Sequence, residues 1–337
     1  MNESYRGRRV LVTGADGFIG SHLAEALTQA GARVTALAHY NSFDSLGWLD
    51  DVEPALSDRM TFLRGDIRDD GFVDRIVEDQ DIVFHLAALI GIPYSYEAPR
   101  SYVDTNVVGT LNVLEAARRH RTKRVIQTST SEVYGTALRT PIDEAHPYQG
   151  QSPYSASKIG ADMMAEAYAR SFDLPVAILR PFNTFGPRQS ERAVIPTILR
   201  QCLDPACVDI QVGDLAPKRD FVFVGDTVAA FMRIGAGPNI AYGSPYNAGT
   251  GQAVSIGEVI DVVQSAASSR KPVKIDPARM RPANSEVRVL LADSAKLAKA
   301  TGWVAETSLG EGIRQTVEWW RRRISSAAVR RSRKMAL

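Results

Sequence analysis

The sequence predicts an α/β protein: a Rossmann-type doubly wound parallel sheet followed by a smaller, less regular C-terminal domain. Three observations carry this. Short apolar, β-branched runs alternate with amphipathic helical runs through the first 180 residues. A glycine turn joins the first strand-like run to the first helical one. The rhythm then breaks, and Pro181, Pro187, Pro196, Pro205 and Pro217 punctuate shorter segments.

In order, residues 9–13 read as a strand and 18–30 as a helix with Phe18, Ile19, Leu23 and Leu27 on one face. Strands follow at 33–38 and 61–63, then an amphipathic run through Phe72, Val73, Ile76 and Val77. Residues 81–86 form a fourth strand too buried to alternate. A long helix at 101–119, a strand at 124–127, a helix at 155–172 and a strand at 176–179 complete the regular part. Beyond it, 208–212 and 221–224 read as short segments. A last amphipathic helix, about 309–322 with Trp319 and Trp320, is expected to pack back on the body. The expected division is 1–180, 181–325 and a basic tail at 326–337.

Composition excludes several classes. The 337 residues are 45% hydrophobic, and 40 Lys+Arg against 38 Asp+Glu leave a net charge of only +2, too balanced for a dedicated nucleic-acid binder. Much of the positive charge sits in Arg321–Arg323 and in the tail, the composition of a solvated chain end. Cys202 and Cys207 are too few for a disulfide scaffold, and no histidine has metal-ligand spacing, so no metal is expected. No apolar run is long enough to span a membrane and no secretory signal opens the chain, so a cytoplasmic protein is expected.

The turn reads Gly14-Ala15-Asp16-Gly17-Phe18-Ile19-Gly20. Gly14 permits the tight turn, Gly17 lets the backbone approach a pyrophosphate, and Gly20 allows close helix–sheet contact; the helix start adds free N–H groups. Asp16, Phe18 and Ile19 are counted with the glycines as cofactor-binding residues. After the second strand the chain reads Leu37-Ala38-His39-Tyr40-Asn41-Ser42, with neither the acid that binds a ribose 2′-hydroxyl nor an arginine for a 2′-phosphate. NAD is expected, with NADP left open. Asp66 is a candidate for the adenine edge or for a helix N-cap.

Tyr154 and Lys158 are four apart at the start of a helix and share a face. An ammonium beside a phenol favours the phenolate, which can take a hydroxyl proton as hydride leaves the same carbon.

These residues, with Thr13-Gly14, His85-Leu86-Ala87-Ala88, Asn106, Tyr154-Ser155-Ala156-Ser157-Lys158 and Arg180-Pro181-Phe182-Asn183, resemble the extended short-chain dehydrogenase/reductase family over nearly the whole chain. The resemblance implies an NAD(P)-dependent enzyme of nucleotide sugars, active as a homodimer through the helices at 101–119 and 155–172. It also implies cofactor contacts from Ile67, Leu86, Ala87, Ala88 and Asn106, and a substrate-binding role for the second domain. His85 is read as structural. The fifth strand ends Thr128-Ser129-Thr130-Ser131-Glu132. This is similar to the 4,6-dehydratases of the family, in which a carboxylate at the matching position removes the C5 proton. Epimerases have small neutral residues there. The catalytic set implied is Tyr154, Lys158, Thr130, Ser131 and Glu132.

The segments Ile92-Pro93-Tyr94-Ser95-Tyr96, Tyr102–Asn106, Gly150–Tyr154 and Arg188–Pro196 further resemble dehydratases of legionaminic-type pathways, which act on a GDP- or UDP-linked N-acetylglucosamine. A diphosphate needs cationic and amide donors, and Asn183, Arg188, Arg192, Arg219 and Arg281 are the candidates. Decarboxylation of a nucleotide-linked uronic acid, 4-epimerisation and a catalytically dead cofactor sensor are the competing readings.

Overall fold

The computed structural model describes residues 2–280 and 287–325. Seven parallel strands form the central sheet: β1 (Arg9–Thr13), β2 (Arg33–His39), β3 (Met60–Gly65), β4 (Ile82–His85), β5 (Arg124–Thr128), β6 (Val176–Pro181) and β10 (Pro245–Ala248). Their order is β10-β6-β5-β4-β1-β2-β3. Each strand divides its side chains between two cores, as period-2 geometry requires. Val10, Val12, Ile82, Phe84, Ile126, Ala177 and Leu179 enter one face; Leu11, Val83, Val125, Val176 and Ile178 enter the other. Both faces are covered, which is why the strands read as continuous apolar runs. The strand order reverses between β1 and β4, so the crevice for a ligand opens there, at the C-terminal ends of the strands.

Every strand expected in the first 180 residues is present, within two residues of its expected ends. Two expectations change. The helix at 101–119 is a composite: Pro99–Tyr102, a π-helical stretch Val103–Val108 and Gly109–Arg119. The wide turn places Asn106, buried, towards the loop after β4. Part of the chain beyond residue 180, expected as a smaller domain, also joins the central sheet. The Val224–Ala236 helix packs on the Phe18–Gln29 helix, and β10 pairs β6 in parallel as the sheet's seventh strand.

The remaining strands are short. β7 (Asn183–Phe185), β9 (Lys218–Phe223), β11 (Ala253–Ser255) and β13 (Val289–Leu290) form a second sheet centred on β9; β8 (Ile210–Val212) pairs with β12 (Val273–Ile275). The Leu309–Ser325 helix buries Ile313, Val317 and Trp320 in the larger core, as its amphipathic pattern predicts. Its last turn reaches the residue 47–51 turn, where Arg323 lies over Trp48 and Trp319 and pairs with Asp51.

Beneath the crevice lies a buried ion pair. Arg180 from β6 meets Asp162 of the Pro153–Phe172 helix at 2.9 Å, both essentially without exposure. Arg180 also donates to the Tyr134 and Tyr148 hydroxyls, and Ser129 donates to Asp162 at 2.7 Å. Asp162→Ala strands the buried guanidinium. The expected loss is about 3–5 kcal/mol of stability, read by urea unfolding. A loss below about 1 kcal/mol would mean that the charge escapes to water.

Candidate active site

The glycine turn is shaped from both sides. Gly14 has φ +67°, and a Cβ there would stand 2.7 Å from the Ala87 backbone nitrogen. A Cβ on Gly20 would stand 2.1 Å from the Gly14 carbonyl oxygen. Side chains are therefore excluded where a pyrophosphate backbone would lie. The Phe18–Gln29 helix begins with no side-chain cap, so its first N–H groups stay available to an anion. The turn thus fits a dinucleotide. Thr13 fixes the opposite wall: its hydroxyl accepts from the Leu86 and Ala87 N–H groups, each at 3.1 Å.

His85 closes β4 between the hydroxyls of Thr13 (2.8 Å) and Thr110 (3.2 Å). Burial, helped by the charge of Lys158, pushes its pKa down to about 3. It is a neutral, structural residue, as expected. Asn106 spends its amide on the protein: it donates to the Leu89 carbonyl and Ser157 hydroxyl and accepts from the Leu89 N–H. It clamps the loop after β4 to the helix that carries Tyr154. Ile67 packs under Gly109, and its carbonyl accepts from Asn112. Asp66 pairs with Arg68, which holds its carboxyl below the usual range; the cap of the next helix is Asp69 instead.

Tyr154 and Lys158 lie buried in the first turns of the Pro153–Phe172 helix, which Ser152 starts through a capping box with Ser155. Thr130, two residues past β5, lies close enough to the Tyr154 phenol to oppose the effect of burial on it. Tyr102 stands edge-on to Tyr154, ring centres 6.3 Å apart. Glu132 follows in a short 3-10 turn, Ser131–Tyr134, whose first N–H groups include a bond from Glu132 to the Thr130 hydroxyl at 3.2 Å. Glu132 is half-buried and close enough to Tyr154 for its charge to act on the phenol. Ser131 beside it is buried.

The sequence argument expected Lys158 to bring the phenol down towards neutral pH. In the structure burial acts against this. Burial pushes Tyr154 well above its usual value, with Glu132 adding to the rise and Thr130 opposing it. Lys158 is itself pushed down to about 8 by burial. Desolvation was the omitted effect, and it outweighs the pair.

The substrate candidates separate. Asn183 begins β7 with its amide oxygen buried and unpartnered among the described residues. Turning the amide over would offer N–H groups to an anion. Arg192 is exposed and close enough to Tyr102 for its charge to act on that phenol. Arg219 is buried in β9. Arg188 pairs with Glu25 of the Phe18–Gln29 helix, its guanidinium at 2.9 and 3.0 Å from the carboxylate, and so fastens two elements. Arg281 lies outside the described residues, as does the basic tail. Asp162, one turn beyond Lys158, was missed although positions 154, 158 and 162 share one helical face. Among the described residues no group of His, Cys, Asp and Glu could hold a metal ion, and no helix is long and apolar enough to cross a membrane.

Fold and site together define a dinucleotide-binding Rossmann protein of the dehydrogenase/reductase type, carrying a Thr–Tyr–Lys group and one added carboxylate. The family model described as GDP-mannose 4,6 dehydratase matches residues 11–316. The chain belongs to this family of NAD-dependent nucleotide-sugar dehydratases and epimerases. It is 34% identical to a UDP-glucose 4-epimerase of Mycolicibacterium smegmatis (93% of this chain, 98% of the relative). It is 33% identical to a dTDP-glucose 4,6-dehydratase of an Actinoplanes species (93% and 98%). Among solved structures, an NAD-dependent NDP-hexosamine 5,6-dehydratase of tunicamycin biosynthesis aligns at 32% identity and TM-score 0.81, over 94% of this chain and 98% of that one. Other solved neighbours hold NAD, the family's cofactor.

The His85 ring gives a pH test. The unfolded chain protonates it below about pH 6.5, the folded protein only near 3, so stability falls as pH drops through that window. His85→Asn removes this slope. The gap in unfolding free energy between parent and variant should shrink from about pH 6.5 to pH 4. A constant gap would contradict a neutral, buried ring.

Proposed function

We propose that the protein is a nucleotide-sugar 4,6-dehydratase acting on a GDP- or UDP-linked N-acetylglucosamine. The observation that carries this reading is Glu132: half-buried, in the turn that follows β5, and close enough to Tyr154 for its charge to act on the phenol. Its sequence context and the hexosamine dehydratase among the solved neighbours support it.

NAD held at the glycine turn would supply the hydride acceptor and donor for C4 and C6, and its positive charge would favour the ionised phenol against burial. Tyr154 takes the proton of the C4 hydroxyl, and Thr130 steadies that oxygen. Lys158, buried one turn on, supplies positive charge to the same pocket. With C4 a ketone, the C5 proton becomes acidic, and Glu132 removes it. The C6 hydroxyl leaves as water with the proton Glu132 collected, aided by a hydrogen bond from Ser131. The proton first taken by Tyr154 balances the one delivered to C5, and the product is the 4-keto-6-deoxy sugar. Asn183, Arg192, Arg219 and Arg281 hold the diphosphate.

A cytoplasmic homodimer completes the proposal. Val103, Val108, Met163 and Phe172, on the two helices expected at the interface, are each at least 40% exposed. Such apolar exposure suits a second copy of the chain.

Incubation with GDP- and UDP-N-acetylglucosamine should give a product lighter by one water. Glu132→Gln should slow that loss by roughly 10²–10⁴-fold while C4 oxidation still yields NADH absorbance. Release of CO2 from a nucleotide-linked glucuronate, or a C4 epimer as sole product, would replace this reading with one of its rivals.

A further inference from the structure

The carboxylate that commonly reads an adenosine ribose stands at the end of the second strand. Here β2 ends in Ala38 and His39, and neither is acidic. The structure brings a carboxylate to that place from another element. Asp16, in the glycine turn, accepts a hydrogen bond through Oδ2 from the His39 backbone N–H at 3.3 Å. The side chain is half-buried, between two residues that hold the turn in shape.

Its position is fixed from behind. The Trp48 N–H donates to the Asp16 carbonyl at 3.0 Å, and a Cβ on Gly47 would stand 2.6 Å from that same oxygen. Trp48 is held in turn by Arg323 and Trp319.

The cations nearby are committed. Arg64 lies beside Ala38 in the β2–β3 register, but its guanidinium engages the Asp44 carboxylate at 3.0 Å and the Asp44 carbonyl at 2.9 Å. Arg68 is held on Asp66. The other titratable group close to Asp16 is the His39 ring, on the residue whose N–H the carboxylate accepts from.

We propose that Asp16 selects NAD over NADP: its carboxylate accepts from the ribose 2′-hydroxyl and repels a phosphate on that oxygen. The inference rests on the dinucleotide site and not on the dehydration reading, so either can fail alone.

The test is binding, read without sugar substrate. Parent, Asp16→Asn and Asp16→Ser proteins, stripped of nucleotide and checked for folding by circular dichroism, are titrated with NADH and NADPH while tryptophan fluorescence is followed. The parent should bind NADH at least about a hundredfold more tightly, and the variants should narrow that ratio by about ten- to a hundredfold. Comparable affinities in the parent would overturn the proposal, whether or not a variant folds. So would folded variants whose ratio matches the parent's.

Discussion

Everything at the crevice is hung on the Arg180–Asp162 pair. Arg180 comes from β6, Asp162 from the helix of Tyr154 and Lys158, Ser129 from the residue before Thr130, and Tyr134 from the turn that carries Glu132. Four hydrogen bonds among buried groups therefore fix the relative placement of three elements that each carry a candidate reacting side chain. An apolar replacement of similar volume could be as stable, because desolvation of two charges offsets most of their attraction. It could not set directions. The guanidinium donates in a plane at defined angles, and that geometry holds one strand end, one helix and one turn in a single arrangement. Asp162 Oδ1 has no partner among the described residues, which leaves the negative charge less than fully quenched one turn from Lys158. That charge works against the burial that lowers the lysine.

Burial gives the site its second constraint. Tyr154 is pushed up and Lys158 down, so both buried groups drift towards their neutral forms. A neutral phenol cannot accept a proton. On the function proposed above, the positive charge of an oxidised dinucleotide would favour the ionised ring. Catalytic competence becomes conditional on the cofactor, which suits an internal redox cycle in which hydride is borrowed and returned.

Much of this was legible in the chain. Alternating buried strands and the glycine turn are local patterns, and they located the parallel sheet and the cofactor edge. Long-range consequences were not legible. Nothing near residue 245 announces that Pro245–Ala248 returns to the sheet, because a four-residue strand has no periodicity of its own. Arg188 sits in a segment that reads as substrate-facing, yet it finds Glu25, 163 positions away. The pKa argument failed for a related reason: spacing reveals a charge neighbour, whereas desolvation depends on everything that covers the pair. Asp162 is the opposite case, since its helical spacing from Lys158 was visible and only its partner Arg180 was not.

The same division explains why relatives with different reactions resemble this chain about equally, at 34% identity for an epimerase and 33% for a dehydratase. Both relatives are matched over 93% of this chain, so the likeness is one of the whole fold. On the function proposed above, oxidation at C4 is the step that dehydration and epimerisation share. What would follow depends on whether a base can reach the neighbouring carbon, and the candidate base, Glu132, lies in the turn at 131–134. A whole-chain comparison gives such a short stretch almost no weight. Mechanism weights it most, because once C4 is a ketone a single carboxylate within reach of the acidic C5 proton opens elimination, and its absence leaves only return of the hydride to C4. The reaction class of a member of this family should therefore be read from the residues that end the fifth strand before it is read from overall likeness.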